Sequence, residues 1–267
     1  MPLVTICLPV FNSGKFLNET IISVMSQTYH KIQVIAIDDC STDDSYEILK
    51  GYKSDNFIVL RNSKNLGLKE NWNKCLEMAA GKYIKMMGAD DILFPECISK
   101  QVEILESINV DLVSSNRYVI DASSHVLLRL KYPLQGYIYP KKALRKLVGA
   151  GRNIIGEPVV CLIRKDALIS VGGFSALNNY VIDIETWAKL IRIKGLFAMD
   201  DYLSSFRVSN TSTSSKEGFN QIRSVFEFIE SFSAQEVGLF TKVKACFLAV
   251  IFGFIRNLIF FFTNRVR

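Results

Sequence analysis

The strongest constraint on the fold is a regular alternation of short apolar runs with longer segments of helical spacing in the first third of the sequence. The apolar runs are rich in β-branched residues and lack the polar alternation of a strand with one face in water. Such strands are typical of a parallel sheet covered by helices, so the sequence predicts an α/β fold. The predicted strands are 3–11, 33–38, 57–62 and 82–87, and the predicted helices are 15–28, 42–53 and 69–80.

Two acidic pairs follow two of these strands. Asp38 and Asp39 come after the second strand, and Asp90 and Asp91 follow the fourth. Ligands of open parallel sheets bind outside the carboxyl ends of the strands, so both pairs are expected on one rim. Carboxylates whose oxygens converge repel each other unless a cation lies between them, and Mg²⁺ and Mn²⁺ prefer oxygen ligands. The pairs indicate a metal and diphosphate site, although each pair alone is equally consistent with a turn or a helix N-terminus.

Composition excludes several other kinds of site. The net charge is +6, but no acidic residue follows Glu236, so the basic excess lies in the tail and does not form the broad basic face of a nucleic-acid-binding protein. The six cysteines show no CxxC spacing, which argues against a zinc site and against a disulfide framework. Only two histidines are present, His30 and His125, so histidine-based chemistry is not expected.

The N-terminus has none of the features of a secretory signal peptide. The run "LVTICLPVF" follows Met1 and Pro2 directly, without a basic region or a small-residue cleavage site. We therefore expect the first strand to begin there and the protein to act on the cytoplasmic side of the membrane.

Four stretches resemble family 2 of the glycosyltransferases, which have the GT-A fold, and in particular its members that build bacterial surface polysaccharides. The resemblance runs in order over residues 3–210. The four stretches are "VTICLPVFNSGKFLNETIISVMSQTY" with "VIAIDDCSTDDS", then "NLGLKENWNKCLEMAAGKYIKMMGADD", then "GEPVVCLIRKDALISVGGF", and finally "VIDIETWAKLIRIKG".

The resemblance implies a nucleotide-sugar site in the first half of the chain. The matching loop after the first strand, Pro9, Phe11 and Asn12, is expected to line the nucleotide pocket, and Asp38 with Asp39 is expected to contact the base and the ribose. Asp90 and Asp91 match the family's metal-binding motif. Asp90 is expected on the ribose and as a possible metal ligand, and Asp91 is expected to bind Mn²⁺ or Mg²⁺ on the diphosphate.

One position departs from the family pattern. Many members read Asp-Ala-Asp-Asp at the metal motif, whereas this chain reads "GADD" with Gly88 first. The departure puts the affinity for the metal and the choice of metal in question, but some relatives share it, so inactivity does not follow.

The last stretch is expected to carry the chemistry. Asp183 matches the second member of the family's Glu-Asp base motif, with Val181 and Ile182 in place of the usual polar residues. The implied role is to take the proton of the acceptor hydroxyl in a one-step attack that inverts the anomeric carbon. A carboxylate among apolar neighbours has a raised pKa, which suits a general base. The alternative is that Asp183 is a helix N-cap, and both roles are compatible.

Further residues are candidates for substrate contact. The acceptor candidates are Glu157, Gly172, Gly173 and Trp187, although the two glycines also fit a simple tight turn. Arg207 is a candidate for the diphosphate, with a surface arginine at a strand end as the alternative.

The tail is apolar and basic. Residues 243–262 approach the length of about 20 residues that spans a bilayer, but Arg256 lies within them. The segment favours a helix on an anionic membrane surface, with a transmembrane anchor and a helix packed on protein as alternatives. A tail of this kind also makes a homo-oligomer possible.

These features divide the chain into a catalytic domain, 1–210, and a tail, 211–267. The domain has a nucleotide-sugar-binding half, 1–92, and an acceptor half, 93–210, while 211–217 forms a linker or a lid before helices at 218–234 and 239–262. The predicted function is transfer of a sugar, with UDP as the expected nucleotide, to a glycan or a lipid-linked acceptor. The alternatives are a non-catalytic membrane-bound scaffold of the same fold and an unrelated nucleotide-binding protein, which the absence of GxGxxG and Walker motifs disfavours.

Overall fold

A computed structural model describes residues 1–175, 179–208 and 220–263, with the side chains of 179, 220 and 255–263 left out of the description. A central sheet has the strand order β3-β2-β1-β4-β9-β6-β10-β5, with β7 beside β6 and β8 beside β10. The strands are β1 (Val4–Val10), β2 (Ile32–Asp38), β3 (Phe57–Arg61), β4 (Tyr83–Met86), β5 (Ile92–Leu93), β6 (Leu112–Ile120), β7 (Val126–Leu130), β8 (Gly136–Ile138), β9 (Cys161–Arg164) and β10 (Leu196–Arg207).

Helices cover the sheet and continue beyond it. They are α1 (Gly14–Met25), α2 (Ser45–Lys50), α3 (Leu68–Met78), α4 (Cys97–Ser107), α5 (Pro140–Gly149), α6 (Lys165–Ser170), α7 (Ile182–Lys194), α8 (Asn220–Glu230), α9 (Ala234–Val237) and α10 (Leu239–Thr263). Short 3₁₀ turns occur at Pro158–Val160 and Asn179–Val181.

The first four strands confirm the predicted alternation. β1 pairs in parallel with β2 and with β4, and β2 pairs in parallel with β3. The side chains of β1 are buried on both faces except for the partly exposed Pro9, as expected for a strand between two helical layers. The strand order reverses direction at β1, and a crevice forms at such a switch point above the carboxyl ends of the strands.

The second half of the sheet combines both kinds of pairing. β9 runs antiparallel to β4 and to β6, whereas β10 runs parallel to β6. The antiparallel β9 joins the two halves into one sheet, so the predicted α/β class is confirmed with antiparallel pairs added on one side.

The tail forms helices, as predicted. α8 and α10 correspond to the predicted segments 218–234 and 239–262, while the predicted linker or lid at 211–217 lies outside the described residues. Within the described part of the chain, no helix is both long enough and apolar enough to cross a membrane. The inner face of α10 packs on protein, since Ala245 and Ala249 are buried.

Candidate active site

The first loop of the crevice is held in place by its own polar side chains. Asn12 adopts a positive φ of 49°, its N–H donates to Ser41 Oγ at 2.9 Å, and its Oδ1 accepts the N–H of Thr42 at 2.8 Å. Phe11 remains 49% exposed beside it. The structure thus leaves Phe11 free as an aromatic surface at the rim, while the side chain of Asn12 ties the loops after β1 and β2 together.

Asp38 lies at the floor of the crevice. Its carboxylate is fully buried, and Oδ2 accepts the N–H of Ser41 and pairs with Arg61, each at 3.1 Å. Oδ1 is buried without a hydrogen-bond partner among the described atoms. A buried acceptor with no partner costs about 1–3 kcal/mol, so a ligand N–H group that reaches Oδ1 would be stabilising.

Asp39 is used differently from its expected role. Oδ1 accepts from Asn62 Nδ2 and from the N–H of Leu66, and Oδ2 accepts the N–H of Gly67, at 2.7, 2.8 and 2.9 Å. Both oxygens therefore hold the loop that leads into α3. In this structure Asp39 shapes the wall of the crevice with both oxygens, whereas its neighbour Asp38 keeps one oxygen without a partner among the described atoms.

Asp90 and Asp91 converge at the turn after β4. Asp90 Oδ1 and Asp91 Oδ2 each lie 2.9 Å from the position that a Cβ atom on Gly88 would occupy. Any side chain at position 88 would therefore push the two carboxylates aside. In this structure the two carboxylates occupy the space that a side chain at position 88 would take.

The charges of this pair are poorly compensated. Burial raises the pKa of Asp90, and burial together with the charge of Asp90 raises the pKa of Asp91 well above its usual value. Asp91 Oδ1 accepts the N–H of Arg207 at 3.1 Å, which leaves Oδ2 on the side of Gly88. Two converging carboxylate oxygens with repelling charges fit a hard divalent cation. Among the described residues no group of three or more His, Cys, Asp or Glu side chains could hold an ion, so a cation at this pair would need further ligands from a bound diphosphate.

The alternative for Arg207, a surface arginine, is wrong. Arg207 is 1% exposed, and its donors reach the carbonyls of Asp90 and Asp121, Ser124 Oγ and Glu19 Oε2 at 2.5–3.0 Å. Every guanidinium nitrogen is engaged by protein. Arg207 therefore positions the turn that carries Asp90 and Asp91, and four of its five N–H donors are used by these protein groups.

Asp183 lies in the first turn of α7. The N-cap position is Val181, so Asp183 is the second residue of the helix rather than its cap. Oδ1 accepts the N–H of Ile184 at 2.7 Å, and Oδ2 accepts from Asn153 Nδ2 at 2.8 Å. Burial raises the pKa of Asp183 to about 7, against the lowering effect of the Ile184 N–H, and the charge of Glu157 adds to the increase. The raised pKa agrees with the expected desolvation of this carboxylate, and its role as the base stays a prediction.

Glu157 connects the two acidic centres. Its charge raises the pKa of Asp91 as well as that of Asp183, so it lies within electrostatic reach of both. The buried Arg117 forms an ion pair with Glu157. Glu157 thus influences both acids electrostatically, and its expected contact with the acceptor stays a prediction.

The expected acceptor contact of Trp187 is wrong. Trp187 is fully buried, and its Nε1 donates to the carbonyl of Gly156 at 3.0 Å. Because the ring has no exposed surface, Trp187 supports the segment that carries Asn153 and Glu157 instead of touching a substrate.

The two glycines of "GGF" form a turn against α3. Gly172 and Gly173 have φ values of +88° and +68°, and Asn73 Oδ1 accepts the N–H of Phe174 at 2.9 Å. Phe174 is buried and packs edge-on against Trp72 with ring centroids 5.1 Å apart. These contacts support the tight-turn interpretation, and the residues that follow, 176–178, lie outside the described part of the chain.

Sequence reasoning missed three members of the site. Asn153 and Arg117 come from segments in which no motif stands out, and Glu19, although it lies in the first of the four stretches, reaches the site only through its ion pair with Arg207. An unexplained arginine in a buried strand, as for Arg117 in β6, is the one available signal, because buried arginines require a partner.

Comparison with known proteins now decides the family. The sequence profile described as Glycosyl transferase family 2 matches residues 5–172, more than half of the chain. The chain belongs to glycosyl transferase family 2. The predicted membership, the fold class and the transferase class are thereby confirmed.

Relatives of this family 2 chain include bacterial polysaccharide enzymes. It is 28% identical over 222 residues to the putative teichuronic acid biosynthesis glycosyltransferase TuaG of Bacillus subtilis, covering 81% of this chain and 83% of the relative. It is 34% identical over 119 residues to the UDP-Glc:alpha-D-GlcNAc-diphosphoundecaprenol beta-1,3-glucosyltransferase WfaP of Escherichia coli, covering 45% and 47%. The chain spans from 62% to 83% of the length of the first four relatives it matches.

Solved structures share the fold of the family 2 chain. TarS of S. aureus in complex with UDP-GlcNAc superimposes with a TM-score of 0.68 at 14% identity, covering 86% of this chain and 66% of TarS. A mannosyltransferase of Pyrobaculum calidifontis in complex with GDP-Man and Mn²⁺ superimposes with a TM-score of 0.66 at 16% identity, covering 92% and 70%. At these identities the likeness supports the fold alone.

Proposed function

We propose that this chain is an inverting, metal-dependent glycosyltransferase that uses a UDP-sugar and acts on a hydroxyl group of a glycan or a lipid-linked acceptor in surface polysaccharide assembly. The observation that carries the proposal is the acidic centre shared by the two halves of the fold. Asn153 donates both to Asp183 Oδ2 and to the carbonyl of Gly156, next to Glu157, and the charge of Glu157 raises the pKa of both Asp91 and Asp183.

The donor site follows from the rim of β1, β2 and β4. Asp38, with its unpartnered Oδ1, would accept an N–H group of the base, and Phe11 would cover the nucleotide. The N–H donor of a uracil ring suits this acceptor, and the choice of UDP over other nucleotides rests on the relatives. The solved TarS complex holds UDP-GlcNAc, and WfaP is named for UDP-Glc, which supports the same choice.

Asp90 and Asp91 would hold a divalent cation, Mn²⁺ or Mg²⁺. When bound, such a cation neutralises the charge that develops on a departing diphosphate. The mannosyltransferase complex that contains Mn²⁺ supports the presence of a metal in the fold. Arg207 would keep the two carboxylates oriented, since its N–H and guanidinium bind the same turn.

Asp183 would act as the general base. As the acceptor oxygen attacks the anomeric carbon, Asp183 would take the hydroxyl proton while the bond from that carbon to the diphosphate oxygen breaks. Attack from the side opposite the leaving group inverts the configuration. Asn153 would hold the carboxylate in orientation through its 2.8 Å hydrogen bond.

The chain would act at the cytoplasmic face of the inner membrane, with α10 on the lipid surface. Five apolar side chains of α10 are 36–81% exposed and recur at helical spacing: Phe240, Val243, Phe247, Ile251 and Phe254. In this proposal 1–92 is the nucleotide half, 93–210 is the acceptor half, and 211–267 is a membrane-associating tail, for which the exposed face of α10 is the support.

The proposal is tested by measuring nucleotide release from UDP-glucose, UDP-GlcNAc and GDP-mannose with Mn²⁺, in the presence of a GlcNAc-diphosphate-lipid acceptor. We expect one UDP-sugar to be consumed by the wild type and not by Asp183→Asn. Consumption at the wild-type rate by the variant would contradict the assigned base. Consumption of no donor would favour the non-catalytic scaffold.

A further inference from the structure

A second concave region lies on the tail side of the molecule, between α5 and α10. It has a volume of about 810 Å³ and is lined along one side by α5 and along the other by α10. Six of its lining residues are cations, and none is an acid. The cations are Lys141, Lys142, Arg145, Lys146, Arg152 and Lys244.

The sequence concentrates this charge in two segments without acids. No Asp or Glu occurs between Asp121 and Glu157, and none occurs after Glu236. α5 and α10 come from these two segments. Helix α5 buries Ala143, Leu144, Leu147 and Val148 and presents its four cations to solvent on the opposite side.

The six cations are not paired with carboxylates in the part of the chain that the structure describes. Within the described residues none of them forms an ion pair, whereas Arg61, Arg117 and Arg207 each pair with a carboxylate elsewhere in the fold. Burial and the charge of Arg117 lower the pKa of Arg152, which indicates local repulsion between cations at this end. A groove of unpaired like charges is electrostatically complementary to a polyanion.

The groove also has an apolar wall. Phe240, Leu248 and Phe252 of α10 line it, and the guanidinium of Arg152 lies 4.3 Å from the centroid of the Phe252 ring. The exposed apolar side chains of α10 continue from this wall around the outer face of the helix. An anionic group with an attached hydrocarbon chain therefore satisfies both surfaces.

The two helices are fixed relative to each other. A Cβ atom on Gly151 would lie 2.5 Å from the carbonyl oxygen of Ala245 and 2.8 Å from the nitrogen of Ala249. Such close backbone approach at the end of α5 makes the groove a built feature of the fold rather than a gap beside a loose helix.

One end of the groove adjoins the proposed base. Arg152 and Ile154 line the groove, and Asn153 between them donates to Asp183 Oδ2 at 2.8 Å. Consecutive residues of one loop therefore line the groove and bind the proposed base.

We propose that the groove between α5 and α10 binds the diphosphate and the first part of the hydrocarbon chain of a lipid-linked acceptor. The inference rests on the proposed function for the role of the ligand as an acceptor, whereas binding in the groove is independent of transfer. The six cations bind the diphosphate, and the wall of α10 binds the chain. The groove therefore orients the acceptor sugar with respect to Asp183.

The test measures co-sedimentation of the full-length protein with phosphatidylcholine vesicles that contain undecaprenyl diphosphate. Matched vesicles contain either phosphatidylglycerol at equal surface charge or uncharged undecaprenol. The groove variant is Lys142→Glu with Arg145→Glu, and the control with the same charge change is Lys31→Glu with Lys53→Glu, two exposed positions outside the groove.

We expect the wild type and the control to bind the diphosphate vesicles at least tenfold more tightly than the phosphatidylglycerol vesicles, and the groove variant to lose this preference. Equal binding to both anionic vesicles would overturn the inference in favour of a general attraction to anionic membranes. Unchanged preference in the groove variant would also overturn it. Titration with UDP and Mn²⁺ distinguishes the groove inference from the proposed function, because the groove variant keeps its donor site. Failure of all forms to bind UDP would count against the proposed function alone.

Discussion

The proposed chemistry depends on the environment of a single residue, Asp183. Its carboxylate is placed in the first turn of α7, where the N–H of Ile184 and the amide of Asn153 hold it. Burial raises its pKa to about 7, so both protonation states are accessible near neutral pH. A general base with a pKa near the working pH combines sufficient basicity with a sufficient ionised fraction.

Replacing Asp183 by Asn is expected to lower kcat by about 10²–10⁴-fold, the usual contribution of a positioned base. UDP binding should be unchanged, because Asp183 belongs to the acceptor side of the crevice. The wild-type rate should rise with pH and reach half of its maximum near the pKa of Asp183, about 7. Steady-state kinetics as a function of pH checks both expectations, and a flat profile below pH 7 would contradict the role of Asp183.

The same pKa shift predicts a change in stability. A carboxyl whose pKa is raised from 3.8 to about 7 on folding binds its proton more tightly in the folded state, so its contribution to the free energy of unfolding falls as the pH rises through this range. The side chain of Asn does not titrate, so the Asp183→Asn variant does not lose stability in this way. Thermal unfolding should show the variant gaining stability relative to the wild type between pH 5 and pH 8, and a constant difference would argue against the shift.

Replacing Glu157 by Gln is expected to move the midpoint of the pH–rate profile to lower pH. The charge of Glu157 raises the pKa of Asp183, and its loss also leaves the cation of Arg117 without its partner. Both changes favour ionised Asp183. Glu47→Gln is the control, since Glu47 is an exposed carboxylate on α2 whose ion pair is with Lys50. A midpoint that moves upwards would contradict the electrostatic link.

The sequence allowed part of this site to be predicted. The apolar neighbours Ile182 and Ile184 indicated a desolvated Asp183, and the raised pKa agrees with that expectation. The partners Asn153 and Arg117 were not predictable, because they reach the site from segments 30 and 66 positions away in the printed sequence. Asp39 and Trp187 were assigned to ligands because residue type does not reveal which way a side chain faces.

At the scale of the element, the end of α7 fixes the position of the base. The helix stops at Gly195, whose φ is +70°, and β10 begins at the next residue. A Cβ atom on Gly195 would lie 2.1 Å from the carbonyl oxygen of Ile138 in β8. The turn therefore depends on glycine both for its conformation and for the space it leaves.

Gly195→Ala is expected to destabilise the fold by more than the cost of about 1–2 kcal/mol for a left-handed conformation alone. Gly136→Ala is the matched control, because Gly136 has a φ of +75° and no atom lies within 4 Å of its added Cβ. Urea unfolding should show a clearly larger loss for Gly195→Ala than for Gly136→Ala. Equal losses in the free energy of unfolding would mean that the backbone at Ile138 moves aside without an energetic cost.

Elements of the first half were predictable because each parallel strand is buried on both faces and reads as a continuous apolar run. The second half was harder for a physical reason. β7 has exposed Val126, Leu127 and Leu128, so its apolar residues do not indicate the core. The pairing of β9 with β4 and β6 joins segments far apart in the sequence, which no local pattern specifies.

In the whole molecule, the two faces of α10 have different environments. The inner face of the helix is closed against α5 and α8, where the missing side chain of Gly253 leaves room for Ile222. Its outer face carries a stripe of exposed apolar side chains, which is typical of a surface that binds lipid or protein. A helix packed on protein and a helix on a membrane surface are therefore compatible alternatives for the tail. One face of α10 packs on protein and the other is available to a membrane.

Replacing Val243 and Phe247 together by Ser is expected to weaken binding to anionic vesicles by about tenfold or more, because each loses favourable apolar transfer into lipid. The control double variant, Ile22→Ser with Ile193→Ser, removes two exposed apolar side chains from α1 and α7. Co-sedimentation with anionic vesicles should show weaker binding for the α10 variant than for the control variant. Equal binding by both variants would show that α10 does not face the membrane.

We propose above all that one rim of the sheet holds a metal-dependent donor site and a separate base. Calorimetric titration with UDP in the presence and absence of Mn²⁺ tests it most directly, with Asp91→Asn and Asp183→Asn beside the wild type. The account predicts Mn²⁺-dependent binding that is lost in Asp91→Asn and retained in Asp183→Asn. Binding that needs no metal, or that survives in Asp91→Asn, would contradict it.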